Sequence, residues 1–400
     1  MKSDSQTSRK RWFFLFIATL SQVGMSIIHL GIPALAPLIQ EELQLTRTEV
    51  GFLSTIMNGS VVMVAIAAGR AADFLGERLI IAYGSIASGL IIMGMNWVGS
   101  FPTLLPVLFL SGLATATSTP AGSKAVAGWF PQNERGTAMS LRQMGIPLGG
   151  ALAAVMLPPL ALRIGWRLAL AVSGLLTIGM GLLALRFYQE PAASSLHKEK
   201  AARLGIRELL RRSDIWAGII YVFILAGGQW CMLFYLELYL KETLGFPITL
   251  AAGMLALGQI CGVGGRIVWG LVSDRLLFGR RRPVLLLVTF LAILTTLGTS
   301  QFSPRTPFWL VFLVVSLLGM TLLGWNGVYL ALLAEQVGIH GAGMAIGLSN
   351  TGAFLGIVML PPIFGFVVDR SHSYRQAWFI LAGLVLIALL ALRWLKEDKP

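Results

Sequence analysis

"GLVSDRLLFGRRR" (Gly270–Arg282) decides how this chain folds, because an earlier stretch carries the same elements. "GRAADFLGER" (Gly69–Arg78) lies 201 residues before it: a glycine four residues ahead of an aspartate, then a second glycine and an arginine. A second pair keeps nearly the same offset. "VMLPP" stands at Val155–Pro159 and again at Val358–Pro362, 203 residues apart, within "GGALAAVMLPPL" and "GAFLGIVMLPPI". Two unrelated coincidences would not share a spacing, so the 400-residue chain is an internal duplication.

The segments around these marks are strongly apolar. The chain is 56% hydrophobic and 12% charged, with a mean hydropathy of +0.76. A water-soluble core cannot hide that much apolar surface, whereas each membrane-spanning helix uses about 20 such residues. Inside lipid the backbone must bond to itself, so the spans are helical. Twelve are read, at 12–40, 49–70, 79–99, 104–130, 136–161, 166–188, 215–241, 248–272, 284–300, 308–334, 342–367 and 376–395. The first follows Arg9, Lys10 and Arg11 as a secretion signal would. Its length, its Pro33 and Pro37, and the lack of a small-residue cleavage site mark it as a retained span.

A net charge of +13 suggests nucleic acid until its distribution is read. With the N-terminus cytoplasmic, 21 of the 31 Lys and Arg fall on cytoplasmic segments, 7 outside and 3 within spans. That is the positive-inside bias, and it puts both termini in the cytoplasm. The basic balance reports topology and anionic lipid, not nucleic acid. Cys231 and Cys261 both lie in spans, which excludes a disulfide framework and a thiolate metal site.

The longest polar stretch, Gln189–Asp214, divides six spans from six. From about Lys200 it reads either as a basic amphipathic helix on the membrane surface or as a solvated linker. The expected fold is therefore an all-α membrane protein. Its twelve transmembrane helices form two pseudo-symmetric six-helix bundles, residues 1–188 and 215–400, joined by a cytoplasmic linker at 189–214.

In its two quoted loops the chain resembles the major facilitator superfamily, whose signature is Gly-x-x-x-Asp-(Arg/Lys)-x-Gly-(Arg/Lys)-(Arg/Lys). The resemblance extends over the whole length. Phe74 departs from the pattern, and the second loop has two extra residues before Gly279. In that family the loop latches the outward-facing state. The resemblance thus implies gating roles for Gly69, Asp73 and Arg78, and for Gly270, Asp274 and Arg275. An aspartate near a helix end does pair with arginine and with a positive helix N-terminus. The plainer reading is two tight cytoplasmic turns.

Charges inside spans are costly and mark function. Here they share a sign: Lys124, Arg142 and Arg266, with Glu237 and Glu335 only near helix ends. Cations without matching carboxylates define a site for an anion. Arg266, eight residues before Asp274, lies about 12 Å into the membrane at 1.5 Å per residue. Its setting, "GVGGRIVWGLVSDR", resembles the oxalate–formate and monocarboxylate branches of the superfamily, where the arginine binds the substrate carboxylate. The planar guanidinium suits that task; bracing the Asp274 turn is the plainer alternative.

Lys124, in "TPAGSKAVAGWFPQNER", resembles the anion:cation symporter branch, although "TSTP" replaces that branch's acidic residue. Snorkelling to the cytoplasm is its other reading. Arg142 opens "RQMGIPLGGALAA", whose Gly145, Gly149 and Ala153 form a small-residue packing stripe. The glycines and Pro147 loosely resemble the helix 5 motif of proton-driven exporters. His29 is the histidine within a span and titrates near neutral pH when unperturbed, which makes it the candidate for proton coupling. Asn58, Gln229, Gln259, Asn326 and Asn350 are candidate cavity residues, with helix-to-helix hydrogen bonding as the default for each. Trp230 and Trp325 offer an apolar wall or simple packing.

Phosphate-cradling Gly-Lys-Ser/Thr and metal-ligand spacings are missing, so neither an enzyme nor an ATP-driven pump is expected, and no cofactor. The reading is a secondary active transporter for a small organic anion, most simply a carboxylate. Alternating access and proton symport are expected, in the cytoplasmic membrane and as a monomer. Its partners are the anion, protons or a counter-anion, and the bilayer. Anion exchange fits the same cations. A proton-coupled drug or metabolite exporter needs a buried acid. A ligand-binding membrane receptor ordinarily adds a soluble output domain, and no such segment is visible.

Overall fold

The computed structural model describes residues 2–117, 122, 125–126, 128–130, 134–190, 211–337, 342–395 and 397, with the backbone alone at 2–9, 65–75, 135–137, 140 and 342–344. Every regular element among the described residues is a helix. Ten of the described helices are long and apolar enough to cross a membrane, and Phe101–Thr115 is a shorter apolar one. Phe16, Leu90, Leu175, Phe290 and Phe379 are at least half exposed. Such large apolar side chains are at home against lipid and out of place in water.

The chain forms two compact units. The first, Met1–Gln44 with Ile56–His197, contains α1 (Lys2–Ala34), α2 (Ala36–Leu43), most of α3 (Arg47–Leu75), α4 (Glu77–Met93), α5 (Phe101–Thr115), α6 (Arg135–Gln143), α7 (Gly145–Ile164) and α8 (Trp166–Phe187). In it α1 lies against α7 and α8, and α4 lies along α8. The α4–α8 contact depends on Gly89 and Gly174. A Cβ on either would come within 2.7 Å of the other's carbonyl oxygen. Small residues substitute here for a hydrophobic drive that lipid cannot provide.

The second unit, Lys198–Pro400 with Leu45–Thr55, contains α9 (Ser213–Leu244), α10 (Ile248–Leu271), α11 (Arg282–Ser300), α12 (Phe308–Leu322), α13 (Asn326–Val337), α14 (Ala342–Ser371) and α15 (Tyr374–Ala391). Here α9 lies against α14 and α15, and α11 along α15. Each partnership matches one in the first unit, as the repeated sequence requires.

The structure departs from the sequence reading at the breaks. The first span is interrupted at Leu35, where Pro37 opens α2. The fifth breaks between α6 and α7, and the tenth between α12 and α13. The VMLPP prolines, by contrast, end nothing. α7 continues through Pro158 and Pro159 to Ile164, and α14 through Pro361 and Pro362 to Ser371. A helix tolerates proline when other groups satisfy the carbonyls it frees. In the second signature loop a π-helical turn, Val272–Leu276, is followed by Phe278 at φ 52° and Gly279 at φ 82°. The wide turn and the left-handed pair absorb the two extra residues.

Candidate functional site

The break between α12 and α13 leaves carbonyls without helical donors, and α10 supplies two. Arg266 Nε donates to the Leu323 carbonyl at 3.0 Å, and Trp269 Nε1 to the Met320 carbonyl at 2.8 Å. Trp325 Nε1 donates to Leu322 at 3.0 Å, and its ring packs edge-on against Tyr221. The helices approach so closely that Gly258 and Gly319 meet backbone to backbone. The bond to Leu323 is the one that Arg266 makes among the described residues, so it braces the break and not the Asp274 turn. It uses one of five guanidinium N–H groups. The remaining groups still form the fork that grips a carboxylate.

In the first unit Arg142 is 1% exposed, and its Nη2 donates to Gln22 Oε1 on α1 at 3.1 Å. Gln22 donates onward to Ser26 at 3.3 Å. Phe14, Trp129, Phe130 and Tyr188 enclose this end. Two turns along the same face of α1, His29 Nε2 lies 3.3 Å from Asn58 Oδ1 on α3. Gln22, Ser26 and His29 thus form one polar stripe, with Arg142 at one end and Asn58 at the other. The glycine stripe after Arg142 packs on α1, as its small residues imply: a Cβ on Gly149 would meet Ser26 and Val23 at 2.6 Å.

The other polar residues are scattered. Gln229 on α9 and Asn326 at the start of α13 are half-buried, and Asn350 on α14 is exposed. Gln259 is 1% exposed, and neither atom of its amide has a hydrogen-bond partner among the described residues. It lies 201 residues after Asn58, in the register of the repeat. Trp230 is buried and stacks on Phe234. Lys124 lies outside the described residues, and at Gly69 and Asp73 the backbone alone is described.

The signature loops use different partners from those the motif suggests. Asp274 pairs with Arg281, seven residues on, while the adjacent Arg275 is exposed. Arg281 also donates to Ser273 Oγ at 2.8 Å and to Glu335 Oε1 on α13 at 3.2 Å. Burial alone would lower the Arg281 pKa, but the bonds to Asp274 and Glu335 outweigh it and raise the group further. Arg78 instead donates through Nε to the Leu185 carbonyl in the last turn of α8 at 3.0 Å. Gly270 has open space where a Cβ would stand.

The structure corrects the placement of Glu237 near a helix end: α9 runs on to Leu244 and ends at Gly245 in the left-handed region. Glu237 therefore lies well inside the helix, 0% exposed, and neither carboxyl oxygen has a hydrogen-bond partner among the described residues. Lys241, one turn on, is the cation within electrostatic reach. The apolar flanks in "LFYLELYL" were the available signal. No cluster of His, Cys, Asp and Glu fit for a metal occurs among the described residues.

A helical membrane chain of two matching units, with the break between α12 and α13 braced by a half-buried arginine, defines a class that sequence comparison identifies. The profile of the Major Facilitator Superfamily matches residues 14–277 and 267–400, and the chain belongs to that family, one of transporters and not of enzymes. Among relatives, "Probable sulfoacetate transporter SauU" of Cupriavidus necator is 27% identical, over 94% of this chain and 90% of that one. "Membrane sensor protein UhpC" of Salmonella typhimurium is 26% identical, over 92% and 87%. Among solved structures, a bacterial homologue of the human lysosomal transporter Spinster superposes with a TM-score of 0.81 at 16% identity, covering 96% of this chain and 98% of that one. That likeness establishes the fold.

Proposed function

We propose that this chain is a secondary active transporter of a small organic anion, with a carboxylate as the group recognised. The observation that carries the reading is Arg266. A guanidinium in a spanning helix, with one N–H committed to the Leu323 carbonyl, is oriented and still has a fork to offer. The relative named as a sulfoacetate transporter supports the same class, since sulfoacetate joins a carboxylate to a sulfonate. In this reading twelve helices form two six-helix bundles, 1–188 and 215–400, around the linker 189–214. Both termini are cytoplasmic, and the cargo crosses by alternating access. Arg142, and Lys124 with it, supplement Arg266. The polar residues Asn58, Gln229, Gln259, Asn326 and Asn350 contribute to the path, and the signature loops gate it.

Coupling is assigned to proton symport, with His29 on the polar stripe of α1 as the proton carrier. Liposome flux tests both parts. Purified protein should take up labelled sulfoacetate or malonate, and an inward proton gradient should accelerate uptake. His29→Ala should abolish the gradient effect and leave anion exchange intact. Movement of cationic dyes with no anion flux would overturn the anion reading. A second reading, a sensor, draws on the relative named as a membrane sensor, which has comparable length and so removes the argument from a missing output domain. Ligand-induced thermal stabilisation with no flux of any anion would favour it.

A further inference from the structure

The second signature loop and the turn after α15 are fastened to each other. Arg282 opens α11, and its side chain reaches the end of α15: Nε donates to the Leu392 carbonyl at 2.9 Å and Nη2 to the Arg393 carbonyl at 3.1 Å. Glu397 returns the contact. Its Oε1 accepts from the backbone N–H of Arg281 and from that of Arg282, the latter at 3.1 Å. A carboxylate there suits the positive end of α11. Loop 272–281 and turn 392–394 thus make one surface.

The charges on this surface do not cancel. Asp274 and Glu335 both accept from Arg281, and Glu397 is taken by the backbone amides of α11. Arg275, Arg280 and Arg393 are exposed, and their side chains make no hydrogen bond or ion pair among the described residues. Large apolar groups stand among them: Leu276, Phe278 and Trp394 are each at least 60% exposed. Phe278 is there against its own backbone. At φ 52° it takes the left-handed conformation, which strains a bulky residue and costs glycine nothing. The turn is closed around it by the Gly279 N–H on the Ser273 carbonyl at 2.8 Å and by Ser273 Oγ on that of Arg280 at 3.1 Å. Strain of this kind persists at sites that grip a ligand.

We infer that this surface binds an anionic phospholipid of the cytoplasmic leaflet. Arg280 and Arg393 hold the phosphate, and Leu276, Phe278 and Trp394 enter the region just beneath it. A planar guanidinium offers a phosphate two parallel donors. Aromatic rings settle at the membrane–water boundary, and a negative leaflet attracts basic residues that flank a span. The surface lies at that level, at the ends of the apolar helices α10 and α15. A soluble phosphate would use the arginines and leave the three apolar groups in water. The first repeat lacks the parts. Leu277 and Phe278 are the two extra residues of the second loop, and the residues 201 positions before Arg393 and Trp394 are Ala192 and Ala193. The assignment to the cytoplasmic leaflet rests on the orientation in the proposed function; the site itself depends on neither cargo nor coupling.

The test uses the purified full chain in detergent and needs no flux, so failure of the anion-transport reading leaves it intact. Dioctanoyl phosphatidylglycerol should raise the melting midpoint, and dioctanoyl phosphatidylcholine at equal concentration should not. Shifts taken from each variant's own lipid-free midpoint give a half-saturating concentration that loop strain does not affect. Arg280→Gln combined with Arg393→Gln should raise that concentration at least tenfold, and Phe278→Gly at least threefold. Arg305→Gln, at an exposed arginine between α11 and α12, should leave it within twofold. The site is overturned if phosphatidylglycerol stabilises the parent no more than phosphatidylcholine does, or if either the double variant or Phe278→Gly stays within twofold of the parent. Equal stabilisation by glycerol 1-phosphate would also overturn it, by assigning the arginines to a soluble ligand. Should the double variant fail to fold, Phe278→Gly, which relieves strain, decides alone.

Discussion

At the scale of single residues, the buried charges divide by what holds them. Arg266 is oriented through one nitrogen, so its substitutions separate charge from shape. Arg266→Ala should reduce anion uptake at least 100-fold in liposomes. Arg266→Lys should retain the charge and still lose about tenfold, because an ammonium cannot both reach the Leu323 carbonyl and present a planar fork. Glu237 is the opposite case, a carboxyl with neither solvent nor a hydrogen bond among the described residues. Glu237→Leu should stabilise the protein by about 1–3 kcal/mol, read as a higher melting midpoint in detergent. A lower midpoint would mean that the carboxyl is satisfied by a group beyond the described residues. Sequence located Arg266 and Arg142 because charge in an apolar run is visible locally. It named His29 and missed Gln22 and Ser26, which join that histidine to Arg142 only once α1 is helical and Arg142 returns to it from 120 positions away.

At the scale of elements, the duplication was legible and its irregularities were not. Repeated offsets fix which helices correspond, and corresponding helices do take corresponding partners. Breaks are not marked by proline: Pro361 and Pro362 leave α14 continuous, while "LGW" at 323–325, with no proline, interrupts the tenth span, and side chains of neighbouring helices bond to freed carbonyls in both places. The second signature loop invites a direct check. Phe278 is 83% exposed and holds φ at 52°, a conformation that costs a side chain about 1–2 kcal/mol. Phe278→Gly should be neutral or stabilise by up to about 1 kcal/mol. Gly279→Ala, at φ 82°, should destabilise by about 1 kcal/mol. Thermal unfolding of the two variants side by side would decide whether that turn is set by backbone geometry.

For the whole molecule, composition and charge distribution were enough to identify a helical membrane protein, and two loops were enough to identify its superfamily. Cargo is a different kind of information. It resides in how a few polar groups converge, and the chain is similar both to a protein named for transport and to one named for sensing. Flux through a closed vesicle separates those two at once. The prolines within α14 have a further consequence, one that belongs to sequence variation. Replacing Pro361 by any residue with an N–H would return the Ile357 carbonyl to its own helix, in competition with the Ser54 hydroxyl. Pro361 and Ser54, and likewise Pro362 and Thr55, whose hydroxyl donates to the Val358 carbonyl, should therefore be epistatic pairs. Among chains built on this scaffold, a lost proline should travel with a lost hydroxyl.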